Sequence, residues 1–221
     1  MRVMYILFDG FDMPNGSRHL EIKLISELLE NGIDVYLLTT HSAGVYSDIP
    51  EELLKYSNFS YGVVPRKKVE KRNFVGRYLD GIAYCFRARR VWKKEVGKID
   101  AVLLQSTQTV AYTCFFLNRY LKKPIVFNSF DIFPDVMYMM GALNNRLVYK
   151  VLSKLQDYAY RSCAKIVVIS EDMKKSFIGK GIPEENIVII RNWFDSSYVK
   201  NVNAEENKFI NDFKSEKGKF R

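Results

Sequence analysis

Along the chain, short unbroken apolar runs alternate with longer stretches in which apolar residues recur every three or four positions. The runs lie at 3–8, 34–40, 59–64, 100–105, 125–127, 164–170 and 187–190. Strands of a parallel sheet covered on both faces read this way. The longer stretches predict helices over 17–31, 66–98, 107–121, 145–161 and 171–181, with a short helical turn at 49–54. Ser17 suits the N-cap of the first helix, Leu20, Leu24, Leu28 and Leu29 follow at helical spacing, and Gly32 closes it. Leu147, Val151, Leu155 and Tyr158 share one face of the helix over 145–161. Crossovers of this length make successive strands parallel. The pattern therefore predicts an α/β chain, a Rossmann-like doubly wound parallel sheet of about seven strands.

Composition narrows the class. Hydrophobic residues make up 48% of the 221 positions and aromatics 14%, enough for a packed core and against disorder. No apolar run approaches the ~20 residues of a membrane span. The apolar start of the chain is too short for a signal peptide, so a cytoplasmic protein is expected. Cys85, Cys114 and Cys163 are scattered and form no CxxC pair. Neither a disulfide framework nor a zinc site is expected, and buried reduced thiols fit best. His19 and His41 lack ligand spacing, so no metal is expected.

Charge is concentrated in one segment. The net charge is +9, yet residues 1–65 carry 4 basic and 9 acidic side chains, whereas residues 66–95 carry 11 basic and 3 acidic. Within that segment Val75, Tyr78, Ile82, Cys85, Trp92 and Val96 recur at helical spacing among Lys67, Lys68, Arg72, Arg87, Arg90 and Lys94. A basic amphipathic helix of this kind lies on an anionic membrane surface, or packs one face on a core and solvates the other. Nucleic acid is a third use of such charge, but no nucleic-acid-binding module is present and that partner is not expected.

The chemistry-bearing stretch is residues 123–135. Pro124 stops the preceding helix, Ile125, Val126 and Phe127 form a buried strand, and the run then breaks into Asn128, Ser129, Phe130 and Asp131. A hydroxyl, an amide and two carboxylates (Asp131 and Asp135) thus sit just past the C-terminal end of a central strand, where open α/β sheets bind ligands. The alternative is that Asp131 or Asp135 caps the next helix. Gly16, between the first strand and the first helix, lets a phosphate approach backbone N–H groups at a helix N-terminus, or serves only a tight turn. His19, one turn further, faces the same cleft or solvent. GxGxxG, Walker and GxSxG sequences are absent, which argues against dinucleotide oxidoreductases, P-loop NTPases and α/β-hydrolases.

In order, four segments resemble the N-terminal half of family 4 glycosyltransferases of the GT-B fold, of the type that builds bacterial surface polysaccharides. Pro14-Asn15-Gly16-Ser17 with Leu24, Leu28 and Gly32 is similar to the family's first glycine loop and helix. Asp131-Ile132-Phe133-Pro134 resembles its D-x-W-P loop, with Phe130 where many members carry histidine. Residues 164–171 resemble the A-D-x-I-x-x-x-S-E strand, and residues 187–195 the V-I-P-N-G-V-D segment. The resemblance implies an acceptor-binding Rossmann-like domain over residues 1–200, with 201–221 a polar linker helix leading toward a C-terminal donor domain. It implies retaining transfer from a UDP- or GDP-sugar, without a cofactor or essential metal, to a lipid-linked glycan acceptor. Gly16 and Ser17 would approach the donor diphosphate. Asp131 would be catalytic, and His19, Ser129 and Asn192 would line the acceptor side. The basic helix would meet the inner face of the cell membrane as a peripheral contact. The family's donor domain, with its glutamate-x7-glutamate motif, would begin near Phe220. The expectation is thus an acceptor-side domain that needs a donor domain or partner subunit and has little activity alone. A non-enzymatic domain that docks on lipid or a partner through the basic helix is the alternative.

Overall fold

The computed structural model describes residues 1–11, 16, 18–42, 49–67, 69, 73–193 and 203. Seven strands form one sheet: β1 (Arg2–Ile6), β2 (Asp34–Ser42), β3 (Phe59–Arg66), β4 (Ala101–Gln105), β5 (Ile125–Asn128), β6 (Lys165–Val168) and β7 (Ile187–Ile189). All pair in parallel, in the order β3-β2-β1-β4-β5-β6-β7. The helices are α1 (Arg18–Glu30), α2 (Glu51–Leu54), α3 (Phe74–Glu95), α4 (Val110–Tyr120), α5 (Asp135–Met139), α6 (Arg146–Arg161) and α7 (Glu171–Gly179).

Alternation along each strand divides the core in two. Met4, Ile6, Val102, Leu104, Phe127, Ile166 and Val168 point to one side, where Tyr84 and Trp92 of α3, Cys114 and Leu117 of α4, Tyr160 of α6 and Phe177 of α7 meet them. Tyr5, Leu7, Val35 and Leu37 point to the other, against Ile25 and Leu29 of α1 and Leu53 of α2. Cys85, Cys114 and Cys163 are buried and free of disulfides.

Several boundaries differ from the sequence pattern, each for a local reason. β1 stops short of Phe8 because the Phe8 carbonyl accepts from the Thr40 hydroxyl (2.8 Å) instead of a ladder partner. β3 runs through Pro65 to Arg66, which its edge position allows, since a missing N–H there costs no ladder bond. The long helix consequently starts at Phe74 and not at 66; Asn73 caps it by accepting from the Gly76 N–H at 2.8 Å. α5, unpredicted, is a five-residue helix directly after Pro134.

The buried side of α3 also differs from the predicted face. Cys85 and Trp92 do face the core, but Val75 is exposed, and Asp80, Gly81, Tyr84, Ala88 and Glu95 complete the buried side. The carboxylates can turn inward because cations meet them: Arg66 and Arg87 reach Asp80, and Arg2 and Lys98 reach Glu95. Gly81 marks the closest approach of α3 to the start of α4. A Cβ there would lie 2.6 Å from Thr109 Cγ2 and 2.7 Å from its Oγ1, and Thr109 is itself buried. Gly81→Ala is therefore expected to destabilise the chain by roughly 1–3 kcal/mol, read as a lower denaturant midpoint.

Candidate active site

The strand order places β1 beside β4, although β2 and β3 lie between them in sequence. Connections leave this point in opposite directions, so the C-terminal ends of β1 and β4 open a crevice. A cavity of about 340 Å³ occupies it. Its walls are Leu7, Phe8 and Asp9 after β1, Gln105 at the end of β4 with 106–109 after it, and Phe130, Asp131 and Phe133 after β5. Glu21 of α1, Phe74 and Arg77 of α3, and Val136, Met137 and Met140 around α5 complete the lining.

The floor is polar and ordered. Gln105 Oε1 accepts from the Tyr5 hydroxyl at 3.1 Å and from Asn128 Nδ2 at 3.0 Å. Both bonds land on the carbonyl oxygen, so the amide Nε2 is the donor group left to Gln105. Burial, and after it the Glu21 charge, pushes the Tyr5 hydroxyl well above the usual tyrosine range, so it stays a donor at neutral pH. Further along the same wall, Ser106 Oγ and Gln108 Oε1 are buried and meet no hydrogen-bond partner among the described residues. Buried polar atoms are ordinarily paired, so these two mark places for a polar ligand or water.

One wall is pinned by an ion cluster. Arg66, at the end of β3, donates from Nη1 to Asp9 Oδ1 (2.6 Å) and from Nε to Asp80 Oδ2 (2.8 Å), and lies 4.3 Å above the Phe8 ring. Arg87 Nη2 adds a 3.0 Å bond to Asp80 Oδ1. These bonds tie β3 and α3 to the loop after β1 that forms the cavity wall.

Asp131 lies at the mouth. Loss of water there raises its carboxyl above the ordinary carboxylate range. Ser129 lies beneath it, fully buried, and its Oγ donates to the Asp131 carbonyl at 3.0 Å. Ser129 thus shapes the Asp131 loop from below and is not part of the cavity wall. Asp135 neither lines the cavity nor caps a helix: the Tyr149 hydroxyl (3.0 Å) and Lys180 Nζ (2.8 Å) bind its two oxygens.

The other sequence candidates fall elsewhere. Gly16 and His19 are exposed at the start of α1 and are not cavity-lining. Asn192 is exposed beyond β7, at the far edge of the sheet from β1. Ser17, Lys68 and Arg72 lie outside the described residues. Lys67, Arg90 and Lys94 are exposed, whereas Arg87 is committed to Asp80. Among the described residues no cluster of three metal-ligating side chains occurs, and no helix is long and apolar enough to cross a membrane.

Pattern reading missed Gln105, Glu21 and Arg77. Two of them left a signal. Gln105 is the polar residue ending an otherwise apolar strand run, and Glu21 sits at helical spacing from the buried Ile25 and Leu29 stripe of α1. A carboxylate in such a stripe points to a polar cavity beneath the helix.

Known proteins share this architecture. HepE from Anabaena, solved in complex with UDP and glucose, superposes with a TM-score of 0.57 at 13% identity, over 96% of this chain and 50% of that one. UDP-GlcNAc 2-epimerase from Methanocaldococcus jannaschii gives 0.54 at 18% identity, over 86% of this chain and 45% of its own. These likenesses show the fold alone, since they join a UDP-bound protein and an epimerase. Among curated proteins, the probable glycosyltransferase WbjE of Pseudomonas aeruginosa is 31% identical over 131 residues, which is 58% of this chain and 32% of that protein. This chain spans about a third of WbjE's length and about half that of the solved neighbours. The family model Glycosyltransferase Family 4 matches residues 15–198, across the cavity and every strand but β1, and the chain belongs to that family.

Proposed function

We propose that this chain is the acceptor-side half of a retaining glycosyltransferase that moves a sugar from a UDP- or GDP-sugar to a lipid-linked glycan in polysaccharide biosynthesis. The observation that carries the reading is the cavity at the β1/β4 junction, whose lining includes Asp131 together with Ser106 and Gln108, the Oγ and Oε1 of which are buried and unpartnered among the described residues. Hydroxyls and amides on the floor suit a polyhydroxylated ring, and Phe74, Phe130 and Phe133 offer apolar faces for its C–H surface. In this reading Asp131 orients the acceptor hydroxyl toward the face of the sugar from which the diphosphate leaves, as retention in one step requires, and takes its proton as the new glycosidic bond forms. Gly16 and Ser17 approach the donor diphosphate, His19 and Asn192 face the acceptor, and Ser129 serves the acceptor side indirectly, by holding the Asp131 loop from beneath. The bond from the sugar to the diphosphate breaks in the same reaction, and the departing charge needs donors or cations. A C-terminal donor domain or partner subunit supplies them, in keeping with neighbours about twice as long. The protein works at the cytoplasmic side of the membrane, where a lipid-linked acceptor lies.

Calorimetric titration tests this directly. UDP, GDP and their sugar conjugates are titrated into the chain alone and then with a donor domain added in trans. Binding that appears or sharpens only with the second domain is expected. Turnover of a nucleotide sugar by the chain alone would overturn the half-enzyme reading. Silence under both conditions would favour a non-enzymatic docking domain.

A further inference from the structure

Helix α6 carries its apolar stripe on the wrong side for a core helix. Leu147, Val151, Leu155 and Tyr158 lie in line and are all exposed, Leu147 and Tyr158 at 71%. The inward side instead holds Gln156, Ala159 and Tyr160. Gln156 accepts from the Ala111 N–H (2.8 Å) and donates to the Gln108 carbonyl (2.9 Å), which fixes α6 against the start of α4. The stripe is therefore held outward by specific bonds.

The neighbouring helices continue this face. On α4, Phe115 is exposed. On α3, Val75, Leu79 and Phe86 fall on one outward side. Ring contacts between Tyr78 and Tyr112 (5.8 Å) and between Phe86 and Phe116 (5.0 Å) join α3 to α4. Three helices packed side by side, α3 on α4 and α4 on α6, thus present apolar side chains outward, and apolar groups gathered on a surface mark interaction sites.

Charge selects the partner. Lys150 and Lys154 border the α6 stripe, and Arg89, Arg90, Lys93 and Lys94 follow the α3 stripe; all are exposed. The carboxylates of these helices are turned to cations: Asp80 and Glu95 are buried in ion pairs, and Asp157 meets Lys180 at 3.5 Å. The outer face is apolar and cationic. A second copy docking by the same face would set cations against cations. We infer that the outer face of α3, α4 and α6 is a bilayer-docking surface for anionic lipid, with the α6 stripe inserted below the headgroups and the lysines and arginines at phosphate level. The inference deepens the membrane contact in the reading above, rests on it, and shifts its centre from the basic helix to α6.

Flotation of the full chain with phosphatidylglycerol-containing vesicles, against pure phosphatidylcholine vesicles, tests it. Wild type is expected to float with the anionic vesicles and to release at high salt. Leu147→Glu with Val151→Glu should weaken binding by at least about tenfold, because charge replaces the inserted stripe. Lys150→Glu with Lys154→Glu should weaken it on the order of tenfold at low salt. These side chains are exposed, so thermal melts should match wild type and exclude misfolding. No flotation of wild type, or flotation unchanged in both double variants, would overturn the inference. So would a concentration-dependent dimer, or single-stranded nucleic acid binding, that the α6 variants abolish while vesicles are ignored. Nucleotide binding is measured separately. Its persistence without flotation would remove the docking surface and leave the transferase reading standing, and the converse result would do the reverse.

Discussion

Replacing Asp80 with alanine is expected to lower stability by about 3 kcal/mol, because it strips the shared anion from two guanidinium groups. Asp80 is 6% exposed, and it accepts from Arg66 at 2.8 Å and from Arg87 at 3.0 Å. The two arginines are not equally harmed. Arg66 is only 11% exposed at its side chain and keeps Asp9, whereas Arg87 is 33% exposed and can turn to water. The loss therefore falls at the low end of what breaking a buried pair costs. For a chain of this size it corresponds to a melting temperature lowered by roughly 6–12 °C. Asp80→Asn keeps one acceptor oxygen and should lose less. Equal melting temperatures for wild type and Asp80→Ala would show that the cluster adds nothing net. The cluster also fixes Asp9 on the cavity wall, so Asp80→Ala should loosen ligand binding even below the melting range.

Asp131→Asn should cut transfer roughly a hundred- to ten-thousand-fold, measured with the donor half present, if its carboxylate takes the acceptor proton. The amide preserves shape and hydrogen bonding but cannot hold the proton. The pH dependence separates chemistry from structure. Burial raises the Asp131 pKa, so the acidic limb of the wild-type rate profile should lie above the ordinary carboxylate value of about 3.9. Activity rises as pH increases through that raised value, and the limb should vanish in the variant. Stability runs in the opposite sense. Between the unfolded and the raised folded pKa the folded state binds more protons, so the contribution of Asp131 to stability declines as pH rises through that window. Asp131→Asn should therefore melt no lower than wild type at neutral pH while transfer collapses. Full transfer with asparagine at 131 would remove the residue from the chemistry.

The sheet was legible in the amino-acid pattern. Seven apolar runs separated by helical periods leave little choice but parallel strands with crossovers, because a strand buried on both faces must be apolar throughout and each crossover needs a helix. The ordered motifs from Gly16 to Asp195 likewise pointed to the family that residues 15–198 match. The place of Asp131 at the sheet's ligand-binding end was legible because a carboxylate soon after a buried strand is conspicuous in one dimension.

Which polar residues turn inward and which apolar ones turn out depends on packing between elements, which the pattern does not record. Asp80 and Glu95 read as solvated charges until Arg66 at the end of β3 and Arg2 of β1 reach them. Gln105 meets Tyr5 from a hundred residues away, and Glu21 joins the same cavity only because β1 and β4 are neighbours. The α6 stripe could be recognised from its spacing, but not the direction it faces. Periodicity records that a helix has two sides. Which side meets the core depends on what waits there, and for α6 it was Gln156, satisfied by the backbone of α4, that took the inner place.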